Sequence, residues 1–427
     1  MDFSQKEELA QRLNDAHDVH NAISTYREIL LEAPHNHRAR GALARLLMEV
    51  SRYGDAQDVC QEGLALGDSG PVLAALSECY QAHFRVPEAI AIAQRAIETD
   101  ISCGFAWFAL SAAYGLAGEE RAADDAITDG LAACGEHPEL LIEHATRPEL
   151  SPSEQVAGLR QLRERFPNHR GALASLAILL SSADQEREAR TLRELLIERN
   201  RESHFSQAIH GMHLLLHDRH DEARPYIERA LELWPCSFYG LYSRFLLHIH
   251  DAQLALANAT LDEADALTQG TSIHATFVVQ MMTTIDGPEG PRQISESYVQ
   301  QRPQSAGMRL AYAELVQLCG EADEALTQLR IARELAPQRY DLKLSEGRLL
   351  VEMRRFDEAA LSLAGLDENA EIDGLRTRIT ASQLTDPVAI RSLYEAHLVK
   401  YPKLDFAWGL LLRDAVECGD LARVQRL

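Results

Sequence analysis

The sequence predicts an all-α chain, a solenoid of about 12 stacked antiparallel helix pairs. Three observations carry that expectation. A pattern of small and apolar residues returns at steps of 32 to 36 residues, apolar positions inside each period fall at helical spacing, and prolines close several periods. "NAISTYREILLEAP" (21–34), "DEARPYIERALELWP" (221–235) and "DEALTQLRIARELAP" (323–337) share one order: alanine, an apolar or large residue about four on, another apolar about three later, then proline.

Taken along the chain, clear units are expected at 3–36, 37–69, 70–103, 104–135, 170–203, 204–235, 306–339 and 340–370. Degenerate units fall at 136–169, 236–271, 272–305 and 371–404, and a partial unit closes the chain at 405–427. Together they read as one continuous array over 1–427. In each unit two amphipathic helices must approach closely, which calls for a small residue at the crossing. Ala22, Ala56, Ala89, Ala123, Ala189, Ala223, Ala325 and Ala359 occupy that place, with Tyr26, Ile227 and Leu329 filling the groove beside them. Pro34, Pro167, Pro235, Pro303, Pro337 and Pro402 end second helices, because proline cannot continue one. Three units carry prolines between their helices: "TRPELSPSEQ" (146–155), "TIDGPEGPRQ" (284–293) and "QLTDPVAI" (383–390). Ser151-Pro152 and Asp386-Pro387 there read as helix caps. "TFVVQMMTTI" (276–285) is β-branched, yet its phase in the array favours helix.

The best single unit is "GFAWFALSAAYGLAGEERAAD", where Trp107, Leu110, Ser111, Tyr114 and Ala123 follow W-x2-L-small-x2-Y…A. This closely resembles the tetratricopeptide repeat, whose period is 34 residues, and the resemblance covers almost the whole chain. It implies a right-handed α-solenoid in which each helix pair completes its core only by stacking on its neighbours.

Composition narrows the function classes. The chain has 427 residues, 46% of them hydrophobic, enough for a large core. Its 42 basic against 65 acidic residues give a formal charge of −23, which repels phosphate backbones and anionic lipid. No nucleic-acid partner is therefore expected, and no apolar run approaches the roughly 20 residues needed for membrane insertion. Seven cysteines scattered singly, without a C-x-x-C pair, and a start without a secretory pattern point to the cytoplasm. Gly-rich phosphate loops, G-x-S-x-G and H-E-x-x-H are absent, so no catalytic residue and no cofactor are expected.

"HGMHLLLHDRHDEA" (210–223) is the one stretch that invites chemistry. His213 and His217, at i and i+4, have the spacing of a helical metal pair, with Asp218, Asp221 or Glu222 as candidate oxygen ligands. The repeat register favours another reading. His210, His213 and His217 fall at positions 7, 10 and 14 of a first helix, which the resemblance implies pack on neighbouring helices, and His220 lies beyond a turn at Asp218-Arg219, so the stripe is split by a bend. On that reading the histidines are packing residues and no metal is assigned.

The resemblance implies that positions 2, 5, 9, 12 and 13 of each first helix line a concave, ligand-gripping surface. In the unit at 204 these are Phe205, Ala208, Met212, Leu215 and Leu216, and Phe105, Phe108 and Leu116 repeat the pattern in the unit at 104. Arg38 and Arg45, with Arg244 and His248, flank this surface as candidate carboxylate partners. In family members that clamp the C-terminal carboxylate of chaperone tails, lysines and asparagines hold set first-helix positions; here Glu7 and Gln11 stand at two of them, against that use.

The expected function is a non-catalytic scaffold or adaptor that binds a protein or peptide segment in the concave groove. The alternative is the substrate-recognition region of a larger enzyme of glycosyltransferase, sulfotransferase or oxygenase type, because the final unit stops inside its second helix at Leu427. Homodimerisation through that uncapped C-terminal end is a further expectation.

Overall fold

The computed structural model describes residues 3–15, 18–182, 185–367 and 369–401, with 408, 409 and 411. Among the described residues, 24 α-helices run in consecutive pairs and no strand occurs. The first four pairs are α1 (Phe3–Asp15) with α2 (Val19–Glu32), α3 (His37–Glu49) with α4 (Tyr53–Leu64), α5 (Gly70–Ala82) with α6 (Val86–Thr99), and α7 (Gly104–Ala117) with α8 (Glu120–Cys134). The next four are α9 (Pro138–Ala145) with α10 (Pro152–Arg165), α11 (Arg170–Ser182) with α12 (Glu186–Arg199), α13 (His204–Leu216) with α14 (His220–Leu233), and α15 (Phe238–His250) with α16 (Leu254–Thr268). A π-helical turn, His274–Val278, leads into α17 (Val279–Asp286), paired with α18 (Glu289–Gln301). The last are α19 (Ala306–Leu318) with α20 (Ala322–Leu335), α21 (Tyr340–Glu352) with α22 (Phe356–Ser362), and α23 (Ala370–Ser382) with α24 (Pro387–Lys400). The partial unit expected at 405–427, and the dimerisation surface placed on it, lie outside the described residues save three.

First helices start 30 to 36 residues apart, and the β-branched run 276–285 is helical throughout. The small residues do what their pattern requires: Ala22, Ala56, Ala89, Ala189, Ala223, Ala325 and Ala359 are fully buried. Ala123 is instead partly exposed. In that pair the close approach falls at Gly130, where a Cβ would lie 2.6 Å from Trp107 Cβ. Asp386 caps α24 through the Val388 amide, as its place before a proline predicts.

Seven pairs share a turn two residues ahead of the second helix in which one residue is left-handed. Gly118 and Gly320 fill it without strain; Ser51, Phe84, Asp218, Ala252 and Arg354 fill it with a side chain, at φ 56–61°. Asp218 is the bend that splits the histidine stripe: α13 ends at Leu216 and His220 opens α14.

The helices form two compact units. The smaller, Pro148–Ser153 with Ala313–Leu427, has its interior around Leu326, Leu329, Leu349, Leu350 and Leu363. The larger, Met1–Arg147 with Glu154–Tyr312, coils until residues some 150 apart touch. Ser51 Oγ donates to Glu202 O at 2.8 Å and accepts from the His204 amide at 2.9 Å, and Asn200 Nδ2 donates to Glu49 O at 2.9 Å. Further along, Trp234 packs against Tyr53 and His83, Phe84 joins the core of Phe238 and Phe245, and Ser272 Oγ donates to Gly115 O. Glu120 then accepts from Ser305 Oγ at 3.0 Å and from the Gly307 amide at 2.7 Å. These contacts make a seam: turns between paired helices meet the starts of first helices one coil later.

Candidate functional site

Three groups of side chains in the larger unit concentrate chemistry. The first is aromatic. Phe205, at the second position of α13, meets Tyr239, at the second position of α15, with ring centroids 6.0 Å apart. Phe238 and Tyr242 then pack on Phe277 of the π-helical turn at 5.6 and 5.5 Å. Phe277 keeps 37% of its surface, while Phe205, Tyr239 and Tyr242 are half-buried. Burial raises the Tyr239 and Tyr242 hydroxyls above their ordinary range. Successive first helices thus present one aromatic strip.

Of the residues predicted for a groove wall here, Phe205 and Met212 are half-buried and Leu216 is exposed. Ala208 is fully buried, and Leu215 packs with Leu214, Ala223, Ile227 and Leu247. The next first helix, α15, begins at Phe238, two residues beyond the start expected at 236. Arg244 and His248 therefore sit at its seventh and eleventh positions, where Arg244 pairs with Glu263 of α16 and His248 meets Gln253 at 3.1 Å. The same shift brings Tyr239 and Tyr242 to positions two and five, which the sequence register missed.

The second group is polar. The Arg45 guanidinium lies 3.3 Å over the Phe105 ring, and Arg45 Nε donates to Glu78 at 2.9 Å. The His137 ring meets Phe105 edge-on at 4.5 Å, and Glu139 takes His137 at 3.1 Å and His169 at 3.3 Å. Arg170 reaches towards Glu49 at 3.8 Å, and Tyr53 OH meets His204 Nε2 at 2.8 Å.

Burial drives the electrostatics of this group. It lifts Glu78 above the usual carboxylate range against the pull of Arg45, and lifts Glu143 likewise. It pushes Tyr53 up to about 12, and with help from Arg170 it holds His204 down at about 4, neutral at pH 7. Glu78 nevertheless keeps 20% of its side-chain surface and Arg45 16%. Arg45 Nη2 and Arg170 Nη1 are buried without a hydrogen-bond partner. Phe108 and Leu116 of α7 are half-buried, and Arg38 is exposed.

The third group holds the histidine stretch. His213 Nε2 donates to Glu186 Oε1 at 2.8 Å, His217 Nε2 lies 3.7 Å from Glu186 Oε2, and the two imidazoles are 4.1 Å apart. Arg193, 2% exposed, donates to Glu186 Oε1 at 2.9 Å and to Ser181 Oγ at 2.6 Å. Burial, then Arg193, depresses His213. Against the upward push of burial, Arg193 and His213 hold Glu186 below its ordinary range. His210, at about 4 through burial and Arg193, packs on Tyr226 at 4.4 Å. His213 and His210 also line a cleft of about 430 Å³ with Arg190, Glu194, Arg219 and Glu222. The oxygen partner of the histidine pair is Glu186 from the preceding helix pair; Asp218, Asp221 and Glu222, the candidates by spacing, are not in the cluster. Two of the four histidines lie elsewhere, since His220 stacks on His250 at 3.5 Å.

No protein-family model matches the chain, and no curated protein matches it. Among solved structures, the chain is similar to the APC/C hetero-tetramer Cut9-Hcn1 at 14% identity and a TM-score of 0.45, over 96% of this chain and 90% of that one. It is similar to yeast Tom70 at 13% identity and a TM-score of 0.41, over 92% of this chain and 99% of that one. No helix among the described residues is long and apolar enough to cross a membrane. By its own repeat register and its consecutive helix pairs, this chain has a helical-repeat fold of the tetratricopeptide type.

Proposed function

We propose that the chain is a non-catalytic binding scaffold whose first-helix face in the larger unit takes a segment of another protein. The observation that carries this reading is the strip Phe205, Tyr239, Tyr242 and Phe277, which three successive first helices hold partly exposed. Aromatic rings on a rigid scaffold provide large contact area at small entropic cost, and they dominate binding energy where they are found. Phe105, Phe108, Met212 and Leu216 are further apolar side chains of first helices that stay partly or fully exposed. Six cysteines among the described residues are free thiols, which suits the cytoplasm as the place of action.

The test is a segment selected from a displayed peptide library against the full chain, then titrated by calorimetry against Tyr242→Ala and Phe277→Ser. Phe277 is exposed enough for its removal to leave the fold intact. Loss of one anchoring aromatic costs about 2 kcal/mol, roughly thirtyfold in affinity. Unchanged affinity in both variants would reject the assignment of this face.

A further inference from the structure

We propose that Glu186, His213 and His217 form a binding site for a divalent transition ion of the zinc class. The site lies where α12 begins and α13 ends, and the proposal is independent of the aromatic strip.

The three donor atoms lie within 4.8 Å of one another. Around an ion with bonds of about 2.0–2.1 Å in tetrahedral geometry, donor atoms sit about 3.4 Å apart. The Glu186 Oε2 to His217 Nε2 edge of 3.7 Å is close to that value, and His213 Nε2 lies 2.8 Å from the other oxygen of the same carboxylate. Two nitrogens and one carboxylate oxygen suit a borderline ion; a hard ion such as magnesium or calcium calls for an all-oxygen set.

The tautomers add a second, independent argument. His217 Nδ1 lies 3.0 Å from the His213 carbonyl oxygen, which can only accept, so the proton of that imidazole is on Nδ1. Nε2 then turns a lone pair towards Glu186 Oε2, itself buried and without a hydrogen-bond partner. An acceptor facing an acceptor is unfavourable unless a cation stands between them. Donation of the far ring N–H to a carbonyl is also how ligating histidines are held in register. His213 is more than nine-tenths buried, and its Nδ1 has no partner either. When an ion takes Nε2, the imidazole proton moves to this vacant Nδ1, and the ring stays neutral.

The surroundings fit a ligand site. Arg193, anchored on Ser181, fixes Glu186 through Oε1 and leaves Oε2 to the ion. Glu186 and His217 keep 35% and 40% of their side-chain surface, so water can complete the coordination. A proton on His217 Nε2 would relieve the same clash, and that is the competing account to be separated.

The experiment uses the full chain without a histidine tag, stripped with chelator and titrated with zinc chloride alone against a chromophoric competitor. One equivalent of Zn²⁺ is expected, and Co²⁺ in its place should develop the intense visible absorption of a low-coordinate N,O site. His217→Ala, at a half-exposed position, and Glu186→Gln, which keeps the shape and the contact with Arg193, should each weaken binding by at least about tenfold. Zinc should raise the unfolding midpoint of the wild type and leave that of His217→Ala unmoved. Less than a tenth of an equivalent bound, or equal affinity in wild type and both variants, would overturn the site. So would a Co²⁺ spectrum of the hexa-aquo type.

Discussion

Removing Arg45 tests the polar group around Glu78 and Phe105 most directly. Arg45 stacks on Phe105 at 3.3 Å and pairs with Glu78 at 2.9 Å, and the two charged side chains keep 16% and 20% of their surface. Arg45→Met preserves the aliphatic stem and deletes the charge, leaving Glu78 crowded by protein with its nearest countercharge gone. Breaking a buried pair on one side costs about 3–5 kcal/mol, and the residual wetting places this case near 3. Arg45→Met/Glu78→Gln removes the stranded carboxylate and should lose only about 1.5 kcal/mol, the stack and one hydrogen bond. The double variant should then be about 1.5 kcal/mol more stable than Arg45→Met alone. A long repeat array need not unfold in one step, so hydrogen exchange of the α3 and α5 amides is the suitable assay, since it reads local opening free energies. The sign with pH follows from Glu78. Burial already lifts its folded-state pKa, and loss of Arg45 lifts it further. The folded state then holds a proton that the unfolded state releases, so stability falls as pH rises above the ordinary carboxylate range. The defect of Arg45→Met should therefore be greater at pH 8 than at pH 5. Equal, pH-independent losses in the single and double variants would refute the account of Glu78 as a buried carboxylate held by Arg45.

Other consequences can be measured. His204 is neutral when folded, at about 4, against about 6.5 when unfolded, so its contribution is complete above pH 6.5 and is lost as pH falls towards 4. His204→Gln should reduce the slope of stability against pH in that window by about 1.4 kcal/mol per pH unit; an unchanged slope in urea unfolding would count against it. Ala252 is exposed and left-handed at φ 56°, a conformation that costs a side-chain-bearing residue about 1–2 kcal/mol. Ala252→Gly should gain about 0.5–1 kcal/mol after the entropy of glycine is subtracted, visible as a higher thermal midpoint. Glu120→Ala deletes the acceptor of the Gly307 amide and Ser305 hydroxyl at the seam, at about 2 kcal/mol. Continued slow exchange of the Gly307 amide in that variant would show that the seam does not depend on Glu120.

What was legible in the sequence was what neighbouring helices decide. The buried alanines and closing prolines act within one pair, so their spacing reports the pairing, and the bend at Asp218 could be placed from the register alone. Longer-range decisions left weaker marks. The start at Phe238 was displaced by two residues, which hid Tyr239 and Tyr242 and moved Arg244 and His248 off the wall. Leu215 looked like groove surface at position 12, yet it is covered because Leu247 of the next first helix packs on it. Glu186 stands 27 residues from His213 and reaches it only because α12 stacks beside α13; spacing along one helix pointed instead to Asp218, Asp221 and Glu222. The contacts 151 residues apart at Ser51 depend on how far each pair rotates against the next, a quantity that small differences in packing accumulate and no local motif encodes.

That seam bears on the proposed binding face. Ser51, Tyr53 and Glu120 tie one coil of the larger unit to the next through hydrogen bonds that are in place before any partner arrives. A wall already held in shape needs little further ordering, so more of the contact energy of Phe205, Tyr239 and Tyr242 remains as affinity. The same bonds limit how far the coils can part, because opening would strand the buried hydroxyl of Ser51 and the carboxylate of Glu120. A bulky folded domain would have to break them, whereas a single extended or helical segment would not. The binding reading therefore favours a slender ligand, and loosening the seam with Glu120→Ala should broaden the range of segments accepted while weakening the tightest of them.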